Sequence, residues 1–349
     1  MLSSRTTPKI SFNVAIELMP KNPARLKLVG DDHEVATWRI ALLNDDWPIP
    51  ECGLVGPSFD YAEVAAGLPK VKAAIDTLGP DTTPDRSRSA KVRVGVQGGI
   101  SGGETSLLAK KIVILVMVLE EGLLCWLGKR RNACLVSRKS QAAMGPWPRG
   151  NVVSSDYYTH IPPIATMKPN FWNKLEPETM YRKLSMIWSA PGLQELRYIL
   201  AMWPPRDPGF YIRPPRELPL SLMPWGFEET PQDPSPWWRG VEEVWGNSTK
   251  TQWDPEEGYT YFYFTYLRST LNHTLLHNWV KVIARIVELA LAGPDEYKRC
   301  LETIFRIQYE ADQGDDEAWK KAWEQLMKDV LELEDCIPDW RDYISGRYA

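Results

Sequence analysis

The 349-residue chain has no Cys-x-x-Cys pair, and its five cysteines (Cys52, Cys125, Cys134, Cys300 and Cys336) are odd in number and far apart. That spacing excludes a zinc-ribbon or closed disulfide framework and predicts reduced, buried thiols. A basic run is also missing. With 41 Lys and Arg against 45 Asp and Glu, a net charge of −4 and a pI near 5.8, the chain lacks the positive face that a phosphate backbone requires. Nucleic acid is therefore not an expected partner. Nor is a membrane: the strongest apolar run, "IVILVMVL" at 112–119, stops at Glu120 and Glu121, too short to cross a bilayer. The opening "MLSSRTTPKIS" has no apolar signal core. A cytoplasmic location is expected, with the sequons "NST" at 247 and "NHT" at 272 unused.

Histidine is scarce as well, with four residues. His273 and His277 have the spacing of a helical metal pair but lack the glutamate of an H-E-x-x-H arrangement, and they read as partly exposed helix histidines. His160, four residues after Asp156 in "SSDYYTHIPP", is either a general base or a structural histidine in a proline-flanked loop. Cys134 follows the basic "GKRRN", which lowers a thiol pKa, yet no histidine lies nearby to pair with it. The glycines of "GGISGGETS" at 98–106 precede a helix but lack the G-K-[ST] ending of a nucleotide loop, so a flexible turn is expected.

What is present in excess is tryptophan and proline, 16 and 29 residues. Residues 204–256 hold eleven prolines and five tryptophans, too many prolines for helix or central strand. This segment is expected to be an insertion or lid within one domain spanning residues 1–349, serving either as an aromatic packing wrap or as a binding loop.

Three stretches alternate with period two. In "ISFNVAIELM", Ile10, Phe12, Val14, Ile16 and Leu18 take one face, with Ser11, Asn13, Ala15, Glu17 and Met19 on the other. In "KVRVGVQ", Val92, Val94 and Val96 oppose Lys91, Arg93, Gly95 and Gln97. "YTYFYFTYL" sets Thr260, Phe262, Phe264 and Tyr266 against Tyr259, Tyr261, Tyr263, Thr265 and Leu267. Helices are predicted over 104–127, 174–189, 192–203, 273–292 with Asn272 as N-cap, 295–310 and 315–335. Strands divided by long helices, without regular βαβ spacing, give an α+β class with a mainly antiparallel sheet.

The order of these pieces resembles the amidoligase family, particularly its fungal members, among the carboxylate-amine ligases of the glutamate-cysteine ligase and glutamine synthetase fold. "SFNVAIELM" is similar to its F-G-V-E-x-E strand, and "GLVGPSFDY" to its E-x-V-S-P-x-F-D-Y segment. "AKVRVGVQGGISGGETSLLAKKIVILVMVLEEGLL" resembles its G-L-H-V-H-V-G strand, loop and helix, with Leu119-Glu120 at the family's F-E. "RRNACLVSR", "LSMIWSAPGLQELRYILAM", "GFYIRPPREL" and "FYFTYLRSTLNHTLLHNWV" follow the family's later motifs in the same order.

The resemblance implies an antiparallel sheet whose polar face grips ATP, magnesium and an acyl phosphate. Carried over residue by residue, the family's two opening glutamates fall on Ala15 and Glu17, and the glutamate and serine of its E-x-V-S-P fall on Gly53 and Gly56. Its two histidines fall on Arg93 and Gly95, and its E-F-R-Q-H on Tyr263, Phe264, Thr265, Tyr266 and Leu267. Strand parity is read as putting the losses on one face, Ala15 with Glu17, Arg93 with Gly95, and Tyr263 with Thr265 and Leu267. One surviving carboxylate is a poor magnesium cage.

Three functions follow as expectations. The first is a diverged protein that binds a small apolar or aromatic metabolite in the former ligase cleft, without a cofactor or metal, and that extends to cyclisation or isomerisation. Glu17, Arg93 and Tyr263 are its candidate catalytic groups, and Ala15, Gly95, Gln97, Tyr261, Thr265 and Leu267 its candidate lining. A Glu17–Arg93 ion pair that merely fills the cleft is the structural alternative. The second is an ATP- and magnesium-dependent amide ligase drawing replacement carboxylates from Glu51, Glu63 or Glu104. The third is a non-catalytic interaction protein using the Pro/Trp-rich segment. The sequence sets no oligomeric state.

Overall fold

Period-two alternation becomes strand wherever one set of side chains can be buried, and seven such segments lie in the computed structural model of the chain. They are β1 (Ile10–Pro20), β2 (Arg39–Asn44), β3 (Glu51–Val55), β4 (Thr82–Pro84), β5 (Ala90–Gln97), β6 (Phe210–Arg213) and β7 (Tyr259–Phe264). The structure describes residues 8–20, 39–44, 51–78, 82–85, 89–97, 103–129, 136–140, 156–163, 166, 177–200, 209–213, 259–314 and 316–346. The described strands form one sheet in the order β2-β3-β1-β5-β7-β6, with β4 also paired to β1, and each pairing is antiparallel. The protein is α+β.

The helices are α1 (Tyr61–Ala65), α2 (Pro69–Asp76), α3 (Gly103–Leu119), α4 (Cys125–Gly128), α5 (Val136–Lys139), α6 (Tyr157–His160), α7 (Pro177–Trp188) and α8 (Leu193–Leu200). After β7 come α9 (His273–Leu291), α10 (Pro294–Gln313), α11 (Asp316–Asp329) and α12 (Ile337–Ser345). The apolar run at 112–119 is apolar all round and lies inside α3, buried on every side. That is why it is a core helix. Among the described residues no helix is long and apolar enough to cross a membrane.

One face of the sheet carries Phe12, Val14, Ile16, Val92, Val94, Val96, Phe210, Phe262 and Phe264, all buried in a single apolar cluster with α3 and α9. Each fully buried valine or phenylalanine contributes roughly 1.5–3 kcal/mol relative to exposure. Helix α9 starts as its sequence requires: the Asn272 side chain accepts the Leu275 amide at 3.1 Å.

The predicted helix over 104–127 is continuous in outline but passes through a π-helical turn, Glu120–Leu124, before α4. That turn seats the Glu120 carboxylate where it accepts the Val136 and Ser137 amides at 2.9 and 2.6 Å and the Tyr266 hydroxyl. The helix predicted over 315–335 ends at Asp329, and the chain then turns with Glu332 in the left-handed region at φ 55°. The strand predicted over 259–267 ends at Phe264, so alternation no longer governs the residues after it. Of the Pro/Trp-rich residues 204–256, only 209–213 are described, and they include the short terminal strand β6, a place in a sheet that proline neighbours permit. The rest of that segment lies outside the described residues, as do the turn at 98–102, the sequon at 247 and Cys134.

Candidate functional site

The face opposite the main core is organised in rows running across the strands. In one row Asn13 of β1 faces Arg93 of β5, which faces Tyr263 of β7, which faces Tyr211 of β6. The next row reads Ser11, Gly95, Tyr261 and Arg213, and the one beyond it pairs Gln97 with Tyr259. On the other side, Val55, Ala15 and Lys91 share a row, and Glu17 faces Gly53. Successive rows lie about 6.7 Å apart, two residues of strand rise.

The rings are packed rather than scattered. Tyr211 and Tyr263 stack face to face with centroids 4.4 Å apart and planes 6° from parallel. Tyr259 and Tyr261 stack at 6.0 Å along β7. With Ala15, the last three of these tyrosines form a second buried apolar cluster, separate from the main core, and Tyr211 packs against it. The Arg93 guanidinium lies 4.4 Å above the Tyr261 ring centroid, within cation–π range. Gly95 makes that arrangement possible. A Cβ there would stand 2.7 Å from Ser11 Oγ and 2.8 Å from Tyr261 Cε1, so the ring occupies space that any side chain would take.

The structure thus brings together Ala15, Arg93, Gly95, Tyr261 and Tyr263 among the residues that the sequence singles out, with the exposed Gln97 at the end of β5. It separates Leu267 from them. Thr265 follows β7 and is buried, its amide bonded to Gly209 O at 2.8 Å. Leu267 is fully buried in the main core and does not line this face; strand parity misplaces it because β7 stops three residues earlier. Glu17 is held by register two rows from Arg93, about 13 Å along the sheet, whereas Lys91 is its diagonal neighbour. A direct Glu17–Arg93 ion pair does not fit that register.

Sequence reading did not nominate Asn13, Ser11 or Tyr211. The first two share the parity of Ala15 and Glu17, and an asparagine inside a β-branched strand is itself a signal. Tyr211 was hidden by the prolines around it. Asn13 is only 3% exposed, and its Nδ2 donates to Gly56 O.

The other candidates are structural. His273 and His277 stack at 6.2 Å and turn Nε2 to Leu68 O and Val64 O, at 3.2 and 2.8 Å. They fasten α9 to the α1–α2 turn, and burial lowers the His277 pKa. His160 packs 4.9 Å from Trp188 and contacts Thr159 Oγ1 and Asp156 O through Nδ1. Burial pushes the thiols of Cys300 and Cys336 up to about 12 and about 11, which makes them poor nucleophiles.

Magnesium-held triphosphate needs converging oxygen ligands. The rows supply alanine, glycine, arginine, lysine and tyrosine, with Glu17 and, by strand parity with Gly53, Glu51 as acidic positions, and Glu63 is on α1, where its side chain accepts the Asp60 amide and pairs with Lys70. Among the described residues no group of three His, Cys, Asp or Glu side chains is placed to hold a metal ion. Compared with protein-family models, curated proteins and solved structures, the chain finds no match.

Proposed function

We propose that the tyrosine–arginine face binds a small planar, aromatic or largely apolar metabolite, and that the protein acts in the cytoplasm on a sheet of the carboxylate-amine ligase type whose ligand positions have been exchanged. The observation that carries the binding reading is the alignment of four tyrosine rings with one guanidinium in adjacent rows, on the sheet face opposite the main core. Flat aromatic walls with a few oriented polar groups are what such ligands require. The ligase ancestry draws support from adjacency: the stretches that resemble the family's strands are consecutive neighbours β3, β1, β5 and β7. The same arrangement suits ATP-independent cyclisation or isomerisation, with Arg93 polarising a carbonyl while the rings hold one conformer.

Calorimetry tests the reading. A panel of aromatic heterocycles at millimolar concentration is expected to bind the wild type and to lose affinity in Tyr261→Ala; a flat response across the panel overturns it. Heat from ATP and magnesium at the same concentration would instead favour an amide ligase.

A further inference from the structure

We infer that Asn13 reads a hydrogen-bond donor on the ligand of this face, so that the ligand is an aromatic molecule with an N–H or O–H group at its edge. The inference rests on the binding reading above and narrows it.

Asn13 lies between Ser11 and Ala15 on β1, directly across from Arg93. Its amide orientation is fixed. Gly56 O can only accept, so the nitrogen must face it and the oxygen must point away. That oxygen, Oδ1, is buried and accepts no hydrogen bond among the described residues. A buried acceptor without a donor is rare because the desolvation of the oxygen is not recovered.

Among the described residues every other buried side-chain oxygen without a partner is a serine, threonine or tyrosine hydroxyl, which rotates to suit its surroundings. Asn13 Oδ1 is the one amide oxygen among them, and it is tethered. Arg93, the donor nearest in register, turns its guanidinium over Tyr261 in the next row and leaves this oxygen unmet. Ser11, Lys91 and Arg93 on the same face are partly exposed and Gln97 is exposed, which gives a ligand an approach along β5. A ring entering from that side, between the partly exposed Ser11 and Arg93, would present its edge to Asn13.

Matched probes separate this inference from the reading beneath it. Indole carries a ring N–H; 3-methylindole keeps it and adds a methyl; 1-methylindole adds the same methyl and removes the donor. Calorimetry on the full chain is expected to show indole and 3-methylindole binding, with 1-methylindole at least about tenfold weaker. In Asn13→Leu the two methyl isomers should bind within about twofold of each other, whereas Asn13→Asp, measured at a pH where its carboxyl is protonated and one oxygen donates to Gly56 O while the other accepts, should keep the preference. Equal binding of both isomers to the wild type would overturn the inference while leaving an aromatic site in place, the outcome expected if an ordered water already serves Oδ1. Loss of the preference in Asn13→Asp would also overturn it, and that comparison stands even where Asn13→Leu does not fold. Failure of all three probes on the wild type would remove the site for this class of ligand, and the inference with it.

Discussion

Tyr266 donates its hydroxyl to the carboxylate of Glu120, a residue 146 positions earlier in the chain. Both side chains are fully buried, and the amides of Val136 and Ser137 complete the cradle around the carboxylate. Burial raises the Glu120 pKa, with the hydrogen bonds pulling it back, and the Tyr266 hydroxyl is pushed up by burial and then by the neighbouring charge. One side chain at a π-helical turn thus ties α3 to α5 and to the exit of β7.

Removing that carboxylate leaves two amides and a hydroxyl buried without an acceptor. Glu120→Ala is expected to lose about 3–5 kcal/mol of stability in urea denaturation, and Glu120→Gln about 1–3 kcal/mol, because its new NH₂ group faces a donor. Equal stability of all three proteins would show that the cradle does not hold the fold.

Gly128 sits where the end of α4 meets the Tyr266 backbone. A Cβ there would lie 2.2 Å from Tyr266 O, and a carbonyl in a packed chain cannot swing aside as a side chain can. Gly128→Ala should cost about 1–3 kcal/mol or more, and Tyr266→Phe should not relieve it. Additive losses in the double variant would agree; recovery of stability would mean that the seating of Tyr266 through its hydroxyl, not the backbone, is the obstacle.

Lys183 donates to Ser137 O at 2.6 Å from a buried position, and burial lowers its pKa from 10.5 to about 8. Between those values the unfolded chain holds a proton that the folded chain has lost, so the Lys183 contribution to stability rises with pH from about 8 to 10.5, against the buried thiols of Cys300 and Cys336, whose raised pKa makes their contribution fall above about 9. Lys111, lowered to about 8 by burial as well, contributes with the same sign. Lys183→Met should therefore make the slope of denaturation midpoint against pH less positive in this window. An unchanged slope would place the Lys183 amine in contact with water.

Elements with strong periodicity were legible from the sequence because a single physical rule decides them. Val92, Val94 and Val96 have only one face to bury, and Asn272 followed by an apolar stripe specifies the start of α9. Short elements were not legible. β3 and β6 are held by their neighbours β1 and β7, and no local pattern in five or four residues competes with that. At the site, parity gathered Arg93, Gly95, Tyr261 and Tyr263 correctly. It failed at Leu267, because parity holds only as far as the strand, and at Glu17 and Arg93, because parity gives a face but not a row.

Gly95 and Tyr261 are coupled through space that only one of them can fill. Gly95→Ala drives a methyl into the Tyr261 ring and should cost about 1–3 kcal/mol along with binding of aromatic probes. In a Tyr261→Ala background the same change should cost far less, giving a coupling of about 0.5–3 kcal/mol in a double-mutant cycle. No coupling would mean that Ser11 Oγ, the other neighbour, takes the strain.

Glu17 and Arg93 are the pair that the sequence offered as an ion-pair plug. Register sets Glu17 two rows from Arg93, beyond the roughly 7–8 Å over which diagonal cross-strand neighbours interact. Arg93 is instead engaged with Tyr261. The stability losses of Glu17→Gln and Arg93→Ala should therefore add within about 0.5 kcal/mol. Arg93→Ala and Tyr261→Ala, by contrast, should couple by about 0.5–1 kcal/mol, the worth of a cation–π contact that keeps some exposure. Strong coupling between Glu17 and Arg93 would restore the plug and would take Arg93 away from any ligand. Additivity there, joined to coupling with Tyr261, leaves the guanidinium as part of the aromatic face, where it meets a bound ring before it meets a carboxylate.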